Sequence, residues 1–226
     1  MRLAQKYFEK MGNAPEEDID LKDLNSAQLY WFVLKNYFWR LILLNILFVA
    51  SCIPIITIPA SFSAVSRVCM KYLMGQHVEL VKDYFSEWRN TIWSSWVILI
   101  CGMVMLVMLG LACMAYYFLL DGIAVCIFLV ICLLLALWVF SVLCYAFSIQ
   151  AAMTLGIGKV IRNAVLMSVT EIKTTVILIT LPGVIYFLCA LFFPLTLPLL
   201  VFGIISLSQL AVCAITLKPI EKYAEI

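Results

Sequence analysis

The charged positions of this chain fall in clusters, and four stretches between them hold none: Leu41–Ser66, Thr91–Leu120, Gly122–Gly158 and Thr174–Leu217. A membrane-crossing helix needs about 20 apolar residues. The second and third stretches each accommodate one helix. The fourth holds two, divided at "FFPLTLP" by Pro194 and Pro198. The first stretch is broken by Pro54 and Pro59 in "SCIPIITIPASFSAVSRVC". Proline lacks an N–H and clashes with the preceding turn, so a helix should end near Cys52. Pro59 suits the first turn of a new helix with Thr57 or Ile58 at its cap.

The pattern therefore predicts an all-α, polytopic transmembrane bundle of about six helices, near 30–53, 58–74, 91–118, 123–147, 174–192 and 197–217. The first two form a hairpin about the proline turn. Residues 1–29 read as a cytoplasmic or interfacial segment, 30–217 as the membrane domain and 218–226 as a cytoplasmic tail. Asn25 or Ser26 is placed to cap the first helix. Its aromatic cluster, Tyr30, Trp31, Tyr37 and Trp39, suits the headgroup region. On the second helix Phe62, Val65, Cys69 and Leu73 share one face. Ala60, Ser63, Ala64, Arg67 and Lys71 share the other, the small-residue kind of face through which membrane helices approach closely.

Composition supports the membrane reading. The chain is 226 residues long, 65% hydrophobic and only 12% charged, against about 25% charged in soluble domains. Charge then sets direction. Arg67, Lys71, Lys82 and Arg89 crowd one linker, Lys159, Arg162 and Lys173 another, and Lys218 and Lys222 the tail. The linkers at Asp121 and Pro194 carry no base. By the positive-inside rule the basic linkers and both termini are cytoplasmic. A five-crossing alternative requires Lys35 and Arg40 to be translocated. The N-terminus lacks the apolar core of a cleavable signal, so the first crossing helix serves as insertion signal. Three further segments have the amphipathic pattern of surface helices: Leu3–Met11, "VELVKDYFSEWRN" with Val81, Tyr84, Phe85 and Trp88 together, and "IGKVIRNAVLMSVTEIK" with Val160, Ala164, Met167 and Ile172 together.

No catalytic constellation is legible. His77 is the sole histidine and sits in a charged loop; Asp121 belongs to an Asp-Gly turn. None of the nine cysteines forms a CxxC pair, and they read as packing residues. "GIGK" lacks the context of a phosphate loop. The expectation is a non-catalytic protein with no cofactor, no metal and no nucleic-acid partner, surrounded by lipid and open to self-association. Ser63, Ser66, Arg67, Ser94, Ser95, Tyr145, Gln150 and Gln209 are the polar residues expected inside the bundle. With no acid in the same apolar stretches, Arg67 is expected to contact carbonyls, water or lipid phosphate. "QAAMTLG" is similar to the coupling loop of ABC importer permeases, but glutamine replaces the leading glutamate and the downstream I-x-L-P is displaced to Ile179–Pro182.

From Asn45 to Trp93 the chain resembles the YesL-like family of bacterial membrane proteins. The matching positions are Asn45, Pro54, Thr57, Ala60, Ala64, Arg67, Phe85, Trp88 and Asn90; Pro59 departs from the glycine more often expected there. The resemblance implies a small multi-pass protein of the bacterial cytoplasmic membrane, of undetermined biochemistry, often encoded beside carbohydrate ABC uptake systems. It points to an accessory subunit contacting ABC permease and ATPase subunits. Thr57, Ala60, Ser63, Ala64 and Arg67 would form a helix-contact face, and Phe85, Trp88 and Asn90 a cytoplasmic docking surface. The alternative is a stand-alone or oligomeric transporter of a small solute.

Overall fold

The computed structural model describes residues 24–119, 123–193 and 203–224. The predicted Leu3–Met11 surface helix, the Asp121 turn and the Pro194–Pro198 break lie outside them. Seven α-helices make up the described chain: α1 Ser26–Ser51, α2 Ile58–Leu73, α3 Leu80–Leu119, α4 Ile123–Ala152, α5 Ile157–Thr170, α6 Ile172–Leu191 and α7 Ile205–Ala224. The all-helical membrane class is as the sequence predicts. Among the described residues four helices, α1, α3, α4 and α6, are long and apolar enough to cross a membrane.

The first helix begins earlier than residue 30. Asn25 occupies its N-cap with extended backbone, and its N–H donates to Gln28 Oε1 at 2.9 Å, one arm of a capping box. α1 bends at Tyr37 (φ −120°, ψ 19°), where the ring stacks on Tyr72 of α2 at 4.5 Å. After Ser51 the chain turns through a 3-10 segment, Ile55–Thr57, and re-enters as α2, with Thr57 at the N-cap and Pro59 in the first turn.

α2 differs from the expected two-faced return helix. It has 16 residues, roughly 24 Å at 1.5 Å per residue, shorter than a crossing. Twelve of its residues are buried, on both predicted faces, and Ile58, Phe62, Arg67 and Lys71 are half-buried. α1, α3, α4 and α7 surround it. Ala60, Ser61, Ser63, Ala64 and Ser66 take little space, so four helices can close on one.

The second difference is α3. The segment predicted to lie on the membrane surface is continuous with the crossing that follows, making one helix of 40 residues, about 60 Å long and twice the ~30 Å hydrocarbon core. No proline or glycine interrupts Leu80–Cys101, so nothing ends the helix. Tyr84 and Trp88 turn inward as the pattern predicts, while Val81 and Phe85 stay exposed.

α3 and α4 pair as an antiparallel hairpin. Gly102 brings them close: a Cβ there would lie 2.6 Å from Leu143 Cδ2 and 2.9 Å from its Cγ. Farther out, the Tyr116 and Phe128 rings meet at a tilt of 38°, their centroids 4.1 Å apart. Between Met103 and Leu119 only Leu106, Leu109, Ala112 and Cys113 are half-buried; the rest of that α3 surface is exposed. The facing part of α4, Ile123–Leu137, is exposed in the same way. α5 folds back under the bundle on Val160, Ala164 and Met167, whereas Ile172 begins α6 and is exposed. The predicted tail is also shorter, because α7 continues through Pro219 to Ala224.

Candidate functional site: a charged clamp on the enclosed helix

The proline turn is held by hydroxyls. Thr57 Oγ1 donates to the carbonyls of Ser51 and Pro54, both at 2.5 Å. Ser61 Oγ donates to Thr57 O at 2.9 Å. Ser51 Oγ lies 2.8 Å from Ser61 Oγ and 2.5 Å from Tyr84 OH, which ties α1, α2 and α3 together. Trp96 Nε1 donates to Ile56 O at 2.6 Å. These bonds bring side-chain donors to carbonyls at the end of α1 and in the turn, in an apolar setting.

The other end of α2 carries the charges. Gly75 has φ 66°, so a side chain there would be strained. Gln76 N–H donates to Lys71 O at 2.9 Å and Gly75 N–H to Tyr72 O at 3.2 Å, the double closure of a Schellman turn. That turn reverses the chain into α3. Lys71 Nζ then meets Asp83 Oδ1 at 2.8 Å, and Arg67 Nε meets Glu87 Oε2 at 3.9 Å. Both pairs are symmetric about position 77, as two helices packed antiparallel require. The expectation that Arg67 lacks an acidic partner is therefore corrected: Glu87 comes from the segment assigned to the surface. Opposite charges equidistant from His77 are the sequence signal that would have found them.

Arg67 also does what was expected of it. Its Nη1 donates to the carbonyls of Ala151 and Ala152, the latter at 3.4 Å. Those are terminal carbonyls of α4, left without intrahelical donors and carrying the negative end of the helix dipole. One guanidinium thus joins α2, α3 and the C-terminal end of α4. The "QAAMTLG" segment supplies those carbonyls from a helix end.

The predicted residues divide accordingly. Thr57, Ala60, Ser63 and Ala64 are buried among the chain's own helices, and Arg67 sits at their end with 28% of its side chain exposed. Phe85 and Asn90 are exposed and Trp88 is half-buried beside the clamp. Of the interior polar residues, Gln209 Nε2 donates to Ser66 Oγ at 2.7 Å and Gln150 Nε2 to Ser94 Oγ at 2.5 Å. Ser206 N–H donates to Asn45 Oδ1 at 3.1 Å, fixing α7 to α1. His77 is exposed in the loop between α2 and α3. Among the described residues, no group of three or more His, Cys, Asp or Glu is placed to hold a metal ion.

Glu171 joins α5 to α6 and accepts from Lys222 Nζ at 2.7 Å and Tyr223 OH at 3.4 Å, so it tethers the end of α7. The Lys222 hydrogen bond holds the Glu171 carboxyl below its usual range, and Glu171 raises the Lys222 ammonium. A lowered carboxyl contributes fully above its ordinary range and loses that contribution as pH falls through the lowered value. A raised ammonium contributes fully below its ordinary range and loses it as pH rises through the raised value. The tether should hold between about pH 5 and pH 10. Amide-exchange protection of residues 218–224 should fall below pH 4 to the level that Glu171→Gln shows at every pH. Equal protection in the two proteins at pH 7 would refute the tether.

Residues 41–116 match a family model described as a protein of unknown function, DUF624, a family that includes the YesL-like proteins. The match runs from mid-α1 through α2 and most of α3, and so contains the proline turn, Arg67 and both ion pairs. No curated protein and no solved structure matches the chain. The four apolar helices among the described residues mark a multi-pass membrane protein, and its residues 41–116 are similar to the DUF624 family.

Proposed function

We propose that this protein is a non-catalytic accessory subunit of the bacterial cytoplasmic membrane that works with a carbohydrate ABC importer. The observation carrying this reading is the α3–α4 hairpin. Beyond Gly102 its two helices bury only the stripe facing each other, and every other face carries large apolar side chains such as Met105, Met108, Leu111, Phe118, Ile127 and Leu134. Such a projection is suited to lying against the helices of another membrane protein. At the basic end, exposed Phe85, Arg89 and Asn90 stand next to the clamp, where positive-inside orientation puts a cytoplasmic partner. The carbohydrate link rests on the YesL-like resemblance.

Affinity purification of the tagged full chain in mild detergent tests the proposal. Permease and ATPase subunits of a carbohydrate importer should co-purify, and Phe85→Ala should reduce their recovery. Purification without them, together with solute flux through liposomes holding this protein alone, would replace the accessory role with that of an oligomeric transporter.

A further inference from the structure

A groove of about 560 Å³ runs between α1, α6 and α7. Its walls are apolar: Tyr30 from α1, Leu181 and Ile185 from α6, Leu207 and Ala211 from α7. At one end it opens into a second cavity of about 290 Å³ that shares Ser26, Ile177 and Ile215 and is rimmed by Thr174, Glu171, Lys218 and Lys222. The two adjoin at those residues, and together they offer a site greasy in its body and basic at its mouth. We propose that it binds an anionic phospholipid, acyl chain in the groove and phosphate at the mouth.

Three features argue for that occupant. The first is charge. Glu171 neutralises Lys222, but no acid among the described residues lies within ion-pair range of exposed Lys218. Among the described lining residues the mouth therefore has one more base than acid, with the hydroxyls of Ser26 and Thr174 beside it as donors to phosphate oxygens. The second is length. From Ile215 to Ile204 the groove follows α7 for roughly 16 Å at 1.5 Å per residue, about half of a ~30 Å hydrocarbon core. An acyl chain of one leaflet has that reach, whereas a helix from another protein would follow α6 and α7 across the whole bilayer. The third is the aromatic flank. Trp31 lies on the wall with 66% of its surface exposed, next to Tyr30, as aromatic residues do at headgroup depth.

Trp31 supplies the readout. The purified full chain is reconstituted in phosphatidylcholine vesicles doped with brominated phosphatidylglycerol or, in parallel, brominated phosphatidylcholine. Quenching is taken as the difference between the protein and its Trp31→Phe variant. Phosphatidylglycerol should quench at lower mole fraction than phosphatidylcholine. Lys218→Gln should weaken that preference about fivefold, the worth of one basic residue near an anionic lipid. Ala27→Phe, which fills the groove from an exposed position on α1, should abolish it with the melting temperature unchanged; Ala211→Phe blocks the opposite wall. Equal quenching by the two lipids would overturn the proposal, as would indifference to Lys218→Gln and Ala27→Phe. Preference for phosphatidylglycerol that emerges only after deletion of residues 1–23 would make the chain's own N-terminal segment the occupant and would equally overturn it.

Discussion

Arg67→Met should lower the stability of the detergent-solubilised protein by about 3 kcal/mol, more than any other single charge substitution in the clamp. Two effects add. The terminal carbonyls of α4 lose their charged donor, and hydrogen bonds to charged groups contribute about 1.5–3 kcal/mol each. Glu87, with 18% of its side chain exposed, is left without its cation. Distances decide which effect dominates. The guanidinium is within hydrogen-bonding range of the Ala151 and Ala152 carbonyls, whereas Glu87 is 3.9 Å away, at the limit of an ion pair. Glu87→Gln should therefore cost about 1 kcal/mol or less. Arg67→Lys should fall between, because an ammonium lacks the planar fork that spans successive carbonyls. Thermal melts of the three variants check the order. If Glu87→Gln costs as much as Arg67→Met, the ion pair and not the helix cap is the working contact.

That ordering bears on how much of the molecule could be read beforehand. Pro54, Thr57 and Pro59 act through backbone geometry within a few residues, so the turn and the start of α2 were legible, as was Asn25 as a cap. Arg67's carbonyl contacts were legible in kind, because an arginine among apolar residues has few other ways to satisfy its donors. Which carbonyls was not: Ala151 is 84 positions away, and only the packing of α2 beside α4 selects it. The run Lys82–Arg89 misled for a different reason. Its charges fit a helix on the membrane surface, and the amphipathic pattern of one end of a long helix is the same whether that end lies flat or continues straight. The partners of Asp83 and Glu87 on α2 resolve it, and those are tertiary. Enclosure of α2 on both faces was hidden because a small-residue stripe opposite a larger apolar stripe describes a helix with one close neighbour and lipid behind it equally well.

The enclosure makes the second large effect predictable. Ala64→Leu should destabilise the protein by about 2–3 kcal/mol, because added methylenes in a filled interior force neighbours off their rotamers. Ala64 is fully buried, as are Ala60 and Ser63 on the same face, and Val65 and Val68 on the others, so no direction is open for the larger side chain. Melting temperature and recovery of any co-purifying partner should fall together in this variant. Phe85→Ala separates them. Phe85 is 46% exposed, and surface substitutions away from caps and networks usually stay within about 0.5 kcal/mol, so folding should hold while partner recovery drops. Such a contrast would assign the two groups of residues to different tasks: the small face of α2 to assembling the bundle, and the exposed flank of α3 to contact with other proteins. An Ala64→Leu protein that melts like the wild type yet loses its partners would reverse that assignment and put the small face of α2 at an intermolecular interface.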